Sequence, residues 1–202
     1  MTNHNGKLLV ASSNPGKINE IRSLLIDLPI DLITPSDIGQ EIEVEEVGQT
    51  YQENAYLKAK VYSQTTGLTA IADDSGLEVN ALGGLPGIRS ARFVIQPDAK
   101  DKDRRTHLLK QLKQHPQPWT ARFRCVIVLA SPFKETYTSE GICEGEIIEH
   151  ERGDNGFGYD PIFLLPDLGR TMAELTLPEK NRYSHRARAV RAAIPFILDI
   201  FN

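Results

Sequence analysis

The 202-residue sequence predicts an α/β protein built around a mixed β-sheet. Three observations lead there. Short apolar runs alternate with helical patterns from the start of the chain, which is the signature of the α/β class. Two strand-like segments, Thr120 to Ala130 and Thr136 to Ile148 (the latter one or two strands, interrupted by Gly141 and Gly145), are separated only by the turn Ser131-Pro132-Phe133-Lys134 and are expected to pair antiparallel. Connections are short, with no internal repeat and no shift of composition, so residues 1–202 are read as one domain.

The elements follow in order. Lys7-Leu8-Leu9-Val10-Ala11 is a buried strand that runs into the turn Ser12-Ser13-Asn14-Pro15-Gly16. Ile18, Ile21, Leu24, Leu25 and Leu28 are spaced as one face of a helix, which Pro29 stops. Asp31 to Thr34 is a second strand. Thr50 and Glu53 have capping-box spacing, and the helix they start carries Ala55, Ala59 and Tyr62 and runs to about Gln64. Leu68 to Ala72 reads as a strand ending at Asp73-Asp74-Ser75-Gly76, and Leu77-Glu78-Val79 continues extended. Gly83-Gly84-Leu85-Pro86-Gly87 is a loop. The charged stretch 98–106, with Leu108, Leu109 and Leu112, predicts a helix to about Gln114. Ser184 starts the last helix, which buries Ala187, Val190, Ile194, Ile197 and Leu198. Pro195 predicts a kink or break near 191–195.

Composition narrows the functions. With 40% hydrophobic and 25% charged residues the chain is ordinary for a globular protein, not disordered, collagenous or coiled-coil. No apolar run approaches the ~18 residues of a membrane span. The polar segment Met1 to Lys7 precedes only four apolar residues, short of the ~7–15 of a signal peptide's core. Two cysteines, Cys125 and Cys143, make neither a disulfide framework nor a metal quartet, so the expected compartment is the cytosol. A net charge of −4 argues against nucleic-acid binding through bulk positive charge. There is no Gly-x-Ser-x-Gly elbow, no zinc-spaced His/Cys cluster and no cysteine beside a base.

Five segments remain as chemical candidates. Ser12-Ser13-Asn14-Pro15-Gly16-Lys17 opens a helix, where backbone N–H groups and the dipole favour an anion. Lys17 opposes that dipole, which a bound phosphate would explain; an ordinary Asn-Pro-Gly turn is the alternative. Glu41, Glu43, Glu45 and Glu46 form either a solvated edge or a Mg²⁺ site. Asp73 and Asp74 point to opposite sides of an extended chain, so one faces a site while the other anchors a turn; an Asx-turn is the alternative. Gly156-Phe157-Gly158-Tyr159-Asp160-Pro161 lets backbone approach a ligand while Phe157 or Tyr159 stacks on it. Lys180, Arg182, His185, Arg186, Arg188 and Arg191 form a basic run without an acid. His185 and Arg186 lie in a helix's first turn, where cations are unfavourable unless an anion answers them.

In this order the five segments resemble the inosine triphosphate pyrophosphatases, which act on deaminated purine nucleotides, over nearly the whole chain. Ser13-Asn14-Pro15-Gly16-Lys17 is similar to the family's phosphate loop, with Ser12-Ser13 where Thr-Gly is usual. Glu45-Glu46-Val47-Gly48-Gln49-Thr50-Tyr51-Gln52-Glu53-Asn54-Ala55, with Lys58, resembles its acidic segment and helix. Ala72-Asp73-Asp74-Ser75-Gly76-Leu77 and Gly83-Gly84-Leu85-Pro86-Gly87 resemble its central motif. Gly156 to Pro161 and Ser184-His185-Arg186 resemble its base-binding end. The resemblance implies an elongated mixed sheet with flanking helices, two lobes with a central cleft, and a homodimer. It also implies hydrolysis of ITP, dITP and XTP to monophosphate and pyrophosphate with Mg²⁺.

The resemblance also implies the roles. A triphosphate carries about four negative charges, which cations must answer before water attacks. Ser12, Ser13, Asn14, Pro15, Gly16, Lys17, Lys58 and Ser75 are expected on the phosphates. Glu45 and Asp74 are expected on Mg²⁺, with Glu46 as the rival ligand, and Asp74 is expected to accept the water's proton. Phe157 stacks on the base, flanked by Gly158 and Tyr159. Asp160, Lys180, His185 and Arg186 read the purine edge. Donors favour a 6-oxo group over adenine's amino group by roughly 1–3 kcal/mol per mispaired group. A non-catalytic nucleotide sensor on the same fold, and a pyrophosphatase for a modified pyrimidine nucleotide, are the alternatives.

Overall fold

The computed structural model describes residues 6–96, 98–132 and 134–201. The expectations for Met1 to Asn5 and for Phe133 in the 131–134 turn therefore lie outside the described residues. The chain runs β1 (Gly6–Val10), α1 (Pro15–Leu25), β2 (Ile30–Ile33), α2 (Tyr51–Thr66), β3 (Thr69–Val79), α3 (Asp101–Leu112) and β4 (Trp119–Ala130). It continues through β5 (Tyr137–Ile147), β6 (Phe163–Leu165), β7 (Arg170–Thr171), α4 (Leu177–Tyr183) and α5 (His185–Phe201). The sheet has the order β2-β1-β3-β4-β5-β6-β7. β1 pairs parallel with β2 and β3, while β6 pairs antiparallel with β5 and β7. The sheet is mixed and flanked by helices, as the sequence predicts. No helix among the described residues is long and apolar enough to cross a membrane.

Contacts divide the chain into two compact units. Unit 1 comprises the segment through Asp74, Cys125–Gly141 and the chain from Arg186 onward. Leu8, Val10, Ile71, Cys125, Ile127 and Leu129 pack there with Ile21 and Leu25 of α1 and Val190, Ala193 and Ile197 of α5. Strand side chains alternate, so Leu9, Ala70 and Ala72 are buried on the opposite face of the sheet. Unit 2 comprises Ser75–Arg124 and Ile142–His185. Its core joins Leu77, Val79, Leu108, Leu112, Trp119, Phe123, Phe163 and Met172.

β3 and α1 differ from the sequence-based expectation, and in β5 and α5 the structure selects among alternatives the sequence leaves open. β3 does not stop at Ala72 but continues through Asp73-Asp74-Ser75-Gly76 to Val79. Intrinsic preference argues against strand there, and tertiary pairing of the two carboxylates overrides it. α1 ends at Leu25 rather than Leu28, where a turn closes from the Leu28 N–H to the Leu25 carbonyl. β5 runs unbroken through Gly141 and Gly145. A Cβ at Gly145 would stand 2.5 Å from the Leu164 carbonyl oxygen, so the close approach of β6 requires glycine there. α5 is not broken at Pro195. Pro195 and Arg191 both lie on the exposed side of the helix, where losing one intrahelical bond costs least.

Candidate active site

The chemistry of unit 1 gathers on β3. Successive strand residues face opposite ways, and Asp73 and Asp74 accordingly meet different helices. Asp73 Oδ2 lies 3.1 Å from Lys17 Nζ on α1 and accepts from Nε and Nη2 of Arg186 on α5, at 3.2 and 3.1 Å. Arg186 is 1% exposed, and its Nη1 also donates to Glu20 of α1, itself buried. Lys17 and Arg186, both placed against a helix dipole, are thus answered by carboxylates of the protein. Asp74 faces α2. Asn54 Nδ2 donates to its Oδ2 at 3.2 Å, and Lys58 Nζ stands 3.5 Å from its Oδ1. Asn54 also accepts from the Gly48 N–H at 2.8 Å, which ties the acidic segment to the strand.

These environments drive two adjacent acids apart. Burial resists ionisation of Asp73, but Lys17, Arg186 and Lys58 outweigh it and hold the carboxyl far below the usual range. Burial raises Asp74; Lys58 and Lys17 pull it back, while Glu46 and Asp73 push it further up. Lys58 is raised, because Asp73, Asp74 and Glu46 together exceed the effect of its burial. One acid is a fixed anion that locks cations, and its neighbour is inclined to take a proton. Such divergence marks acid–base sites.

The acidic segment resolves position by position. Glu41, Glu43 and Glu45 are exposed. Glu46 turns inward, where its Oε1 accepts from Lys58 Nζ at 2.8 Å. The structure therefore brings Glu46 to Asp74 and leaves Glu45, the expected metal ligand, on the outside. Among the described residues, no group of three or more His, Cys, Asp or Glu is placed to hold an ion alone. A pair of hard carboxylates still fits Mg²⁺, which keeps waters and takes phosphate oxygens beside one or two protein ligands. Oxygens of Glu46 and Asp74 both address the Lys58 ammonium, so they converge on a single cationic position.

The loop before α1 is partly satisfied within itself. Asn14 donates its N–H to Ser12 Oγ, and its own side chain accepts from the Lys17 N–H. Pro15 has no N–H, so the loop has fewer donors for an anion than the sequence alone suggests. Ser13, Asn14 and Pro15 are exposed, and Ser12 and Gly16 are half-buried.

Unit 2 carries the glycine-aromatic loop. Phe157 is half-buried, and Lys180 Nζ lies 5.1 Å from its ring centre. Lys180 also donates to Asp160 Oδ2 at 2.5 Å, and that oxygen accepts from the Phe157 N–H at 2.9 Å. Asp160 and Lys180 are a buried pair that shapes the loop. Gly156 has φ +75°, and a Cβ there would fall 2.1 Å from Asp160 Oδ2, so only glycine fits. Tyr159, expected as a possible stacking ring, belongs to the core. It is 4% exposed and donates its hydroxyl to the Ser90 carbonyl at 2.9 Å. His185 is buried with its ring stacked on Phe123, centroids 4.7 Å apart. Arg186, expected at the purine edge, is turned to Asp73 and Glu20. Ser75, next to the acids, is half-buried.

The sequence reading omitted Glu20, Asn54, Asp101 and Arg105. Asn54 sits in the motif next to the capping Glu53, and Glu20 is a lone acid on an otherwise core-facing stripe. Either position was open to notice. α4 was also missed. Its N-terminus is closed by Glu179, which accepts from the Thr176 N–H and hydroxyl at 2.9 and 2.8 Å and from Arg170 at 3.0 Å. The two Thr176 bonds and Arg170 lower the Glu179 carboxyl to about 2. A lowered acid contributes stability that is present above its unfolded value and is lost as pH falls toward the folded one. Glu179→Gln is therefore expected to lower the melting temperature at pH 6, with the difference from wild type closing between about pH 4.3 and pH 2. A pH-independent difference would refute this.

A mixed α/β sheet with paired acids on a central strand, a basic helix start and a glycine-aromatic loop defines a nucleotide-handling class of protein. The chain belongs to the Ham1 family, whose sequence profile matches residues 8–196. It is 46% identical to the dITP/XTP pyrophosphatase of Bacillus licheniformis, over 92% of this chain and 94% of that one. It is 47% identical to the dITP/XTP pyrophosphatase of Geobacter sulfurreducens, over 91% and 92%. The solved structure of a HAM1 protein from Coxiella burnetii superposes with a TM-score of 0.86 at 38% identity, covering 96% of this chain and 99% of that one.

Proposed function

We propose that this protein hydrolyses the non-standard purine nucleoside triphosphates ITP, dITP and XTP to the monophosphate and pyrophosphate, clearing them from the nucleotide pool. The observation that carries this reading is the divided acid pair on β3, with Asp73 held by Lys17 and Arg186 and Asp74 turned to Asn54 and Lys58 beside Glu46. The names of the relatives support the substrate class.

In this mechanism Lys17, Lys58 and the Ser12 to Gly16 backbone draw in the triphosphate. Asp74 takes a proton from water as the water oxygen bonds to the α-phosphorus. The α–β bridging bond breaks, and pyrophosphate leaves whole. Glu46 and Asp74 would hold Mg²⁺, with Glu45 as the outer rival; bound there, the metal neutralises charge developing at the α-phosphate. Asp73 and Arg186 keep Lys17 and β3 in place. Phe157 stacks on the base, Gly158 admits it closely, and Tyr159 and Asp160 fix the loop. Donors on His185 and Lys180 favour a 6-oxo purine. The protein works as one catalytic domain, as a homodimer, in the cytosol.

Product analysis tests the reading. With Mg²⁺ and ITP, one inosine monophosphate is expected per pyrophosphate. Orthophosphate, or no product, would refute the mechanism and favour the sensor alternative. Hydrolysis of dITP is expected to exceed that of dGTP and dUTP clearly; equal rates would remove the specificity claim.

A further inference from the structure

Helix α3 carries two residues that the phosphate and metal chemistry does not use. Asp101 and Arg105 stand one turn apart, so their side chains share a face of the helix. Both reach the same glycine, which is 57 residues away from one and 53 from the other. Gly158 donates its N–H to Asp101 Oδ2 at 2.7 Å, and its carbonyl accepts from Arg105 Nη1 at 2.7 Å. Each grip is itself braced. Asp101 Oδ1 accepts from Arg104 Nη2 at 2.6 Å. Arg105 also donates from Nε and Nη2 to the two carboxylate oxygens of Glu151, both at 2.9 Å.

Gly158 lies between the two rings of the loop with φ +62°. Holding its N–H fixes the peptide plane before it, and holding its carbonyl fixes the plane after it. The torsions at Gly158 are then determined, and with them the direction in which Phe157 leaves the chain. Hydrogen bonds with one charged partner are about twice as strong as neutral ones. We propose that Asp101 and Arg105 are positioning residues for base recognition, clamping Gly158 from α3 so that the Phe157 ring is pre-set for the purine. This inference rests on the pyrophosphatase reading for its substrate.

Arg105→Leu and Asp101→Ala, with Arg105→Lys and Asp101→Asn as conservative partners, test it. Affinity for ITP is measured calorimetrically with Ca²⁺ replacing Mg²⁺, and KM and kcat for dITP are measured with Mg²⁺. Each lesion is expected to weaken ITP binding and raise KM about tenfold while kcat stays within about twofold, because only the orientation of the ring is lost. The conservative variants are expected to recover part of the loss. Lys110→Ala, on the exposed side of α3, is expected to change nothing. Unchanged affinity and KM in the lesions would overturn the proposal, as would a parallel loss of kcat without rescue. If Arg105→Leu does not fold, Arg105→Lys carries the test. An ammonium lacks the planar fork with which Arg105 meets Gly158 and both oxygens of Glu151 at once, so a rise of about threefold is expected and none would overturn the clamp. If the wild type releases no pyrophosphate from dITP, the pyrophosphatase reading falls, and the affinity comparison still decides the clamp.

Discussion

Asp74→Asn is expected to lower kcat by about 10³-fold while the protein melts no earlier than wild type. The substitution keeps the shape of the side chain and an oxygen for Asn54, but removes the carboxylate proposed above as proton acceptor and metal ligand. Stability should be spared because of the sign of the Asp74 shift. A carboxyl raised by burial costs stability when it ionises, so a neutral amide relieves that cost as pH rises above the unfolded value. Asp73→Asn, one residue earlier, is expected to do the reverse to stability. It takes a carboxylate from the buried Arg186 and from Lys17, and the melting temperature should fall. Steady-state kinetics and thermal unfolding of the two variants side by side decide the matter. Retained turnover in Asp74→Asn, or equal destabilisation by both, would falsify the division of labour on β3.

Most of the architecture was legible from periodicity. The apolar runs of β1 and β4 and the three-and-four spacing of α1 have no competing reading. Sequence alone ends β3 early because Asp73-Asp74-Ser75-Gly76 has the composition of a turn. What keeps it extended is long-range pairing to α1, α2 and α5, which no local window contains. α4 was hidden for the opposite reason, since seven residues are too few to establish a helical period.

The site divides in the same way. Residue types and order single out Lys17, Lys58, Asp74 and the Phe157 loop as candidates, because the chemistry proposed for them depends on side-chain identity. Direction was not legible. In the acidic segment, the choice between Glu45 and Glu46 depends on which way one residue turns, and the Tyr62 hydroxyl bond to the Ile42 carbonyl at 3.0 Å anchors the run against α2. His185 and Arg186 read as one basic motif. Neighbours on a helix nevertheless point about 100° apart. One therefore stacks on Phe123 while the other bonds to Asp73 and Glu20.

That divergence makes Arg186→Met strongly damaging to stability. The methionine fills much of the same space, so packing loss is modest and the effect is electrostatic. Glu20 and Asp73 are both under 5% exposed, and both lose a guanidinium partner. Removing one partner from a buried ion network costs about 3–5 kcal/mol. The profile against pH should change as well. In the wild type the depressed Asp73 contributes stability above its unfolded value, near pH 3.9, which is lost as pH falls toward its much lower folded value. Without Arg186 the folded Asp73 protonates more readily, so the variant should lose less stability on acidification and approach the wild type at low pH. Glu20→Gln in the Arg186→Met background should cost less than in the wild type, because the charge it removes has already lost its partner. Thermal unfolding of the four proteins of this cycle at pH 7 and at about pH 3, inside the window where the unfolded Asp73 is protonated, provides the measurement. Additive losses with no dependence on pH would show that Arg186 acts there by packing alone. The expected coupling would instead place its guanidinium as the group that keeps Asp73 ionised beside Asp74.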